Sequence, residues 1–314
     1  MKIAVIGATG HIGTYLIPRL VRAGHEVVAI SRGAREPYHT AAEWRDVQRV
    51  QIDREREEHD GSFGSSIASL SADVVVDLIC FEPRSALHLI GALRDRVSHF
   101  LHCGTLWVHG VPRSRPHDET APREPFGAYG IKKAEIERLL IEAADDGFPA
   151  CVLHPGHITG RGWIPINPAG NLDVSVFERL AQGEKVNLPD DGEATLQHVH
   201  ADDVAQAFEL AIEKPNAATG ESFHIAAREP VTMKRYAEEV ASWHDREANL
   251  DFLPWEKWRT TVGERDAALT FDHMKHSPCA STAKAEALLG FEPRYTAVGA
   301  VRDAMSRASA AGAE

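Results

Sequence analysis

A short apolar run, Lys2-Ile3-Ala4-Val5-Ile6, ends in Gly7-Ala8-Thr9-Gly10-His11-Ile12-Gly13, and an amphipathic stretch follows at once. Glycines at G-x-x-G-x-x-G spacing between a strand and a helix predict a tight turn whose backbone can approach a ligand closely. The N–H groups of the first helical turn, around Thr9, His11 and Ile12, are then free to receive a pyrophosphate. A strand-to-helix turn without a ligand is the bland alternative; the placement of the motif on the first strand weighs against it. Residues 12–23 set Ile12, Leu16 and Leu20 four apart, and Gly24 stands where a left-handed residue ends a helix. Pro18 removes one backbone bond and predicts a kink.

The same rhythm continues. Glu26 to Ile30, Arg49 to Ile52, Asp73 to Leu78, His99 to His102 and Ala150 to His154 are further strand candidates, separated by amphipathic stretches. This alternation predicts an α/β fold, a parallel sheet with crossover helices. From Pro155 to Gly192 the chain reads as loops rich in Gly, Pro and Trp. A helix is expected from Asp202 to Glu213, then a mostly helical part from Pro230 with loops around Leu253 to His276. The Ala/Ser-rich tail from Ser306 to Glu314 is expected to fray.

Composition narrows the class. Hydrophobic residues at 43% and charged residues at 25% fit a globular protein. No apolar run reaches the roughly 18 residues of a spanning helix, and the N-terminal run is too short for a signal peptide. Cys80, Cys103, Cys151 and Cys279 lie far apart, which argues against a zinc cluster or disulfide framework and points to a reducing cytoplasm. A net charge of −12 disfavours nucleic acid as a partner.

Three groups carry chemistry. At the end of the second strand, Ser31-Arg32 stands where an acidic residue would select NAD. A hydroxyl and a guanidinium suit a 2′-phosphate instead, so NADP is favoured over NAD, unless Arg32 is simply a solvated loop residue. Asp53, after the third strand, is placed either to accept from the adenine amino group or to serve as a surface turn residue. Tyr129-Gly130-Ile131-Lys132-Lys133 opens a helix, so Tyr129 and Lys133 share a face. A phenol titrating near pH 10 is a poor base at neutrality; the Lys133 ammonium and an oxidised nicotinamide ring favour its phenolate. In His102-Cys103-Gly104-Thr105, the Thr105 hydroxyl is set to hold a substrate oxygen against the tyrosine.

With these motifs in this order, the chain resembles the extended short-chain dehydrogenases, the NAD-dependent epimerase/dehydratase family. Leu153-His154-Pro155-Gly156-His157 resembles the family's segment near the nicotinamide, which adds Pro155 and His157 to the cofactor contacts. His198 to Ala205 resembles its return into the core, and Ser281 to Phe291 its C-terminal helix. The resemblance implies a Rossmann-type, doubly wound parallel sheet with a smaller C-terminal substrate-binding lobe. Residues 1–155 with a return segment at about 199–225 would form the cofactor domain, and 156–198 with 226–314 the lobe. It also implies a homodimer built from core helices, and catalytic roles for Thr105, Tyr129 and Lys133.

Two departures bear on the substrate. Leu106 and Trp107 replace the acidic pair that dehydrating members carry after the catalytic hydroxyl. Leu196 stands where sugar-nucleotide binders usually carry arginine, four residues before His200, and the acidic loop Asp190-Asp191-Gly192-Glu193 would repel a diphosphate if it faced the cleft. Arg161, Lys185 or Arg228 could compensate. Phe81, Trp107, His157 and Trp163 are candidates for the substrate wall, with core packing as the alternative for each aromatic. The pairs His154/His157 and His198/His200 fall in segments whose roles the resemblance already explains, so no metal is expected.

The expected protein is an NAD(P)-dependent oxidoreductase or epimerase that moves a hydride at an alcohol or carbonyl carbon of a small, sugar-like compound, with Tyr129 as acid/base. A nucleotide-sugar epimerase is the alternative. From another class, a non-catalytic cofactor sensor or RNA-associated relative is disfavoured by the intact Tyr/Lys/Thr set and by the acidic charge.

Overall fold

The computed structural model describes residues 1–39 and 41–306. Its centre is a seven-stranded sheet of β1 (Lys2–Ile6), β2 (Glu26–Ser31), β3 (Gln48–Gln51), β4 (Val74–Asp77), β5 (His99–Cys103), β6 (Ala150–Pro155) and β7 (Ser222–Ile225). The spatial order is 7-6-5-4-1-2-3, with every pairing parallel. The chain winds outward through β2 and β3, then crosses over β1 to wind the other way, which makes a doubly wound sheet. The reversal opens a crevice between the carboxyl ends of β1 and β4, where ligands bind in such folds.

Six strands coincide with the apolar runs read from the sequence. The seventh, Ser-Phe-His-Ile, alternates polar and apolar residues although every one of them is buried, so it left no continuous apolar signal. Helix α1 (His11–Arg22) runs continuously through Pro18, and Gly24 is left-handed at φ +81°. Leu16 and Leu20 of α1 share one core with Phe208 and Phe223, while the other sheet face buries Leu89, Ile136, Leu140 and Phe148. A third core gathers Phe177, Tyr236, Trp258 and Val301.

Two expectations about loops need correction. The stretch 155–192 contains a helix, Ser175–Gln182, and a strand, Val186–Pro189, that pairs with Leu250–Leu253. The stretch 253–276 contains the helices Trp255–Trp258 and Glu264–His276. In the latter the buried residues are Thr270, His273 and His276, so no apolar stripe marked it as a helix. Residues 307–314 of the tail expected to fray lie outside the described residues.

Beside the crevice, Asp77 at the end of β4 is fully buried, and Arg54 reaches it with bonds of 2.8 and 3.0 Å. Arg54 also donates to Glu58 at 2.7 Å, and Glu58 in turn accepts from Ser85 at 2.6 Å. Removing one partner of a buried pair strands the other charge. Arg54→Met is therefore expected to cost about 3–5 kcal/mol in urea unfolding. The double variant Arg54→Met/Asp77→Asn should recover much of that loss, because the stranded carboxylate is gone.

Candidate functional site

The cleft above the sheet has a volume of about 500 Å³ and is lined from the glycine turn to the C-terminal half of the chain. At one end, Gly7 has φ +86°, and a Cβ there would fall 2.8 Å from Ile79. A Cβ on Gly13 would fall 2.2 Å from the Ala8 carbonyl oxygen, so glycine is required for α1 to pack this close to the turn. Gly10 caps α1 with no side-chain bond, and the first turn holds no acidic residue. The N–H groups of that turn are thus left to an anion, and the turn fits a dinucleotide pyrophosphate. Gly7, Gly10, His11 and Ile12 line the cleft; Thr9 and Gly13 belong to the same turn without lining it.

Ser31 ends β2, where its hydroxyl accepts from the Gly33 N–H at 3.2 Å. Arg32 is exposed and forms no ion pair among the described residues. Asp53 is exposed as well, and its carboxylate caps helix Arg54–His59 by accepting from the Arg56 N–H at 3.3 Å. That is the turn role left open for it in the sequence. None of the three lines the cleft.

Helix α2 (Gly127–Asp145) presents Tyr129 and Lys133 one turn apart. Lys133 is buried, and its ammonium donates to the carbonyls of Cys80 at 2.8 Å and Cys103 at 2.7 Å. It also lies 4.8 Å from the Phe81 ring centre. Burial lowers its pKa, and the nearby Cys103, Cys80 and Asp77 oppose that shift. Tyr129 is 43% exposed to the cleft. Desolvation nonetheless pushes its phenol up to about 12, the Cys103 thiol adds to this, and a hydrogen bond with Thr105 opposes it. The Lys133 ammonium is committed to two carbonyls, and without the nicotinamide ring that was expected to act with it the phenol stays neutral.

Thr105 is fixed from below. Its N–H donates to His154 Nδ1 at 3.0 Å, and His154 Nε2 lies 2.9 Å from Glu137 on α2. Arg123 grips the same carboxylate at 2.6 and 3.1 Å. Because His154 Nδ1 accepts, its proton sits on Nε2, facing the carboxylate. Burial alone would raise the Glu137 pKa, but His154 and Arg123 outweigh it and hold the group well below the usual carboxylate range. The sequence reading missed Glu137 and Arg123 and assigned His154 no such part. Glu137 does follow Lys133 by four residues on the buried face of α2, a signal that was legible.

Phe81, Trp107, His157 and Trp163 all line the cleft, as does Pro155. Trp107 meets Tyr129 edge-on at 5.9 Å and stacks on His276 at 4.1 Å. Trp163 stacks on His11 at 4.8 Å, at the glycine-turn end. Leu196 lines the cleft, as its place in the sequence led one to expect, and Gln197, Leu269 and His273 line it as well, without having been expected there. Asp190, Asp191 and Glu193 do not line it; Asp190 accepts from the Trp255 N–H at 2.8 Å and Asp191 from the Glu193 N–H at 3.0 Å. The acidic loop therefore does not form part of the cleft wall, the condition on which its repulsion of a diphosphate was expected.

Comparison with known proteins agrees with this geometry. Residues 3–226 match the NAD dependent epimerase/dehydratase family. A 2′-dehydrokanamycin reductase of Streptomyces kanamyceticus is 27% identical over 76% of this chain, a match that spans 66% of the reductase. The chloroplast stem-loop binding protein of 41 kDa b of Arabidopsis thaliana is 26% identical over 96% of this chain and 78% of its own length. A UDP-glucose 4-epimerase of Corynebacterium glutamicum is 25% identical over 99% of this chain and 97% of its own. Among solved structures, the UDP-glucose 4-epimerase of Thermotoga maritima with UDP-glucose superposes with a TM-score of 0.74 over 99% of both chains at 22% identity. The family match over most of the chain, on a doubly wound sheet with a glycine turn and a Tyr/Lys/Thr set, places this protein in the NAD-dependent epimerase/dehydratase family of extended short-chain dehydrogenase/reductase enzymes.

Proposed function

We propose that the protein moves a hydride to or from an alcohol or carbonyl carbon of a small hydroxy or keto compound, such as a free or modified sugar or a sugar acid. In this reading residues 1–155 with about 199–225 hold the cofactor, while 156–198 and 226–314 shape the substrate end. A bound nicotinamide dinucleotide supplies or accepts the hydride. Tyr129 gives its phenolic proton to the substrate oxygen on reduction and takes it back on oxidation. Thr105 shares that oxygen, Lys133 has one N–H left over from its two carbonyls for the nicotinamide ribose, and Trp107 with His157 closes the space above. The chain would act in the cytoplasm as a homodimer; among the described residues no helix is long and apolar enough to cross a membrane.

The observation that carries the substrate class is the lining of the cleft. Histidines aside, Lys133 is the sole ionisable cation among its lining residues, and Leu196, Leu269, Ile166 and Leu172 supply apolar walls. Nothing there matches the paired bonds an arginine gives a diphosphate. The three cations that could compensate are engaged elsewhere: Arg161 with Asp303 at 3.2 Å, Lys185 with Asp251 at 2.7 Å and Arg228 with Glu286 at 3.1 Å. The relative named as a dehydrokanamycin reductase fits this reading. The nucleotide-sugar epimerase remains the second reading, favoured by the UDP-glucose 4-epimerase that aligns over nearly the whole chain.

Two measurements separate these readings. Calorimetric titration with UDP, GDP and dTDP in the presence of cofactor is expected to show no binding in the micromolar range; micromolar binding of any of them would restore the nucleotide-sugar epimerase. For the cofactor, NADP(H) is expected to bind more tightly than NAD(H), because Arg32 is exposed and forms no ion pair among the described residues. Arg32→Ala should weaken NADP(H) by about one to two decades, the worth of a charge-assisted bond, and leave NAD(H) nearly unchanged. Equal wild-type affinities, measured by fluorescence quenching, would refute the preference.

A further inference from the structure

Outside the cleft, His109, His117 and His224 bring one ring nitrogen each to within 4.8 Å of the others. They come from three separate places: the turn Leu106–His109 after β5, the loop that follows it, and β7. Each is at most 4% exposed. His109 Nδ1 lies 3.2 Å from the Pro122 carbonyl oxygen, which can only accept, so the proton sits on Nδ1 and the Nε2 lone pair faces the cluster. His224 Nε2 is 2.8 Å from His109 Nε2 and donates to it, so an ion bound here would take the place of that proton, which would move to His224 Nδ1. Neither ring nitrogen of His117 and not the Nδ1 of His224 finds a hydrogen-bond partner. Buried polar atoms are normally satisfied, so a buried His117 ring with neither nitrogen paired, beside two other imidazoles, leaves a place for a ligand.

We propose that these three histidines form a site for a divalent transition metal, with zinc the best match. Nitrogens at zinc distances of about 2.0–2.1 Å around a tetrahedron stand roughly 3.3 Å apart, a spacing the trio brackets. Three imidazoles suit zinc, copper or nickel and not magnesium or calcium. The surroundings favour a cation despite the nearby Arg123. That guanidinium is neutralised by Glu137 at 2.6 Å, while the Glu119 carboxylate accepts the His224 backbone N–H at 2.7 Å. The Pro122 carbonyl orients His109 as an outer-shell partner does in metal sites. A pocket of about 330 Å³, bordered by His109, His117, Asp118 and Glu124, adjoins the cluster and gives an ion and a fourth, water ligand a way in.

None of the three histidines lines the cleft, so the metal acts on structure. It ties the turn that begins at Thr105 to the edge strand β7 and to the loop at His117. The site is independent of which substrate the enzyme uses.

The test uses tag-free, chelator-treated, full-length protein. Zinc titrated by calorimetry is expected to bind at one equivalent per chain, and cobalt(II) to give visible bands of tetrahedral intensity. Zinc should also raise the melting temperature. His117→Ala, which changes a loop residue, and His109→Gln should each weaken zinc at least a hundredfold and abolish the cobalt bands and the thermal shift. Anomalous scattering from zinc-soaked wild-type crystals should place the ion among the three rings, which makes the test independent of how the variants fold. No stoichiometric uptake, uptake retained by both variants, or an anomalous peak elsewhere would overturn the proposal.

Discussion

The Lys133 ammonium is the tie on which the site depends. An ammonium is costly to bury, and here it is buried because two carbonyls, one just past β4 and one at the end of β5, accept its protons. The bond set pins α2 against the carboxyl edge of the sheet where the strand order reverses. Helical spacing then fixes the rest: Tyr129, one turn earlier, faces the cleft, and Glu137, one turn later, faces the core. One helix face thus carries the proposed proton-transfer group, the buried ammonium and the carboxylate that steadies the loop opposite.

That carboxylate links the helix to the Thr105 loop through His154. A glutamate buried without partners would take up a proton or leave the core. Between Arg123 and His154 it stays ionised, and a chain of contacts runs from a loop guanidinium to the backbone N–H of Thr105. The arrangement holds Thr105 by its backbone, while its hydroxyl accepts from the Trp107 N–H at 3.3 Å and meets the Tyr129 phenol. The site is therefore rigid on the sheet side and bounded on the other by Leu196, Leu269 and His273, which set its shape more than its charge.

Much of this was legible in the sequence. The glycine turn, six of the strands and the Tyr129/Lys133 spacing follow from local rules, since a tight turn needs glycine and an i/i+4 pair needs only a helix. What escaped were features whose signal is not apolar. Helix Glu264–His276 buries a threonine and two histidines and so shows no apolar stripe, while β7 is only four residues long with polar residues at two buried positions and so shows no continuous apolar run. The Glu137–His154 contact joins residues on a helix and a strand whose packing no local pattern announces. The acidic loop at 190–193 looked like part of the cleft by its nearness in sequence to Leu196, yet strand pairing turns it away.

In the proposed mechanism Tyr129 is a neutral phenol in the protein alone, able to donate on reduction, and becomes a base only beside an oxidised cofactor. The near-ultraviolet phenolate band, measured against pH as wild type minus Tyr129→Phe, tests this directly. Without cofactor, the difference should stay flat until high pH, because burial pushes the Tyr129 phenol up to about 12. With saturating NAD(P)⁺ the positive nicotinamide favours the phenolate, so the transition should move to lower pH, and by linkage NAD(P)⁺ should bind more tightly as pH rises through it. Superimposable difference curves with and without cofactor would contradict the account and remove Tyr129 from the chemistry.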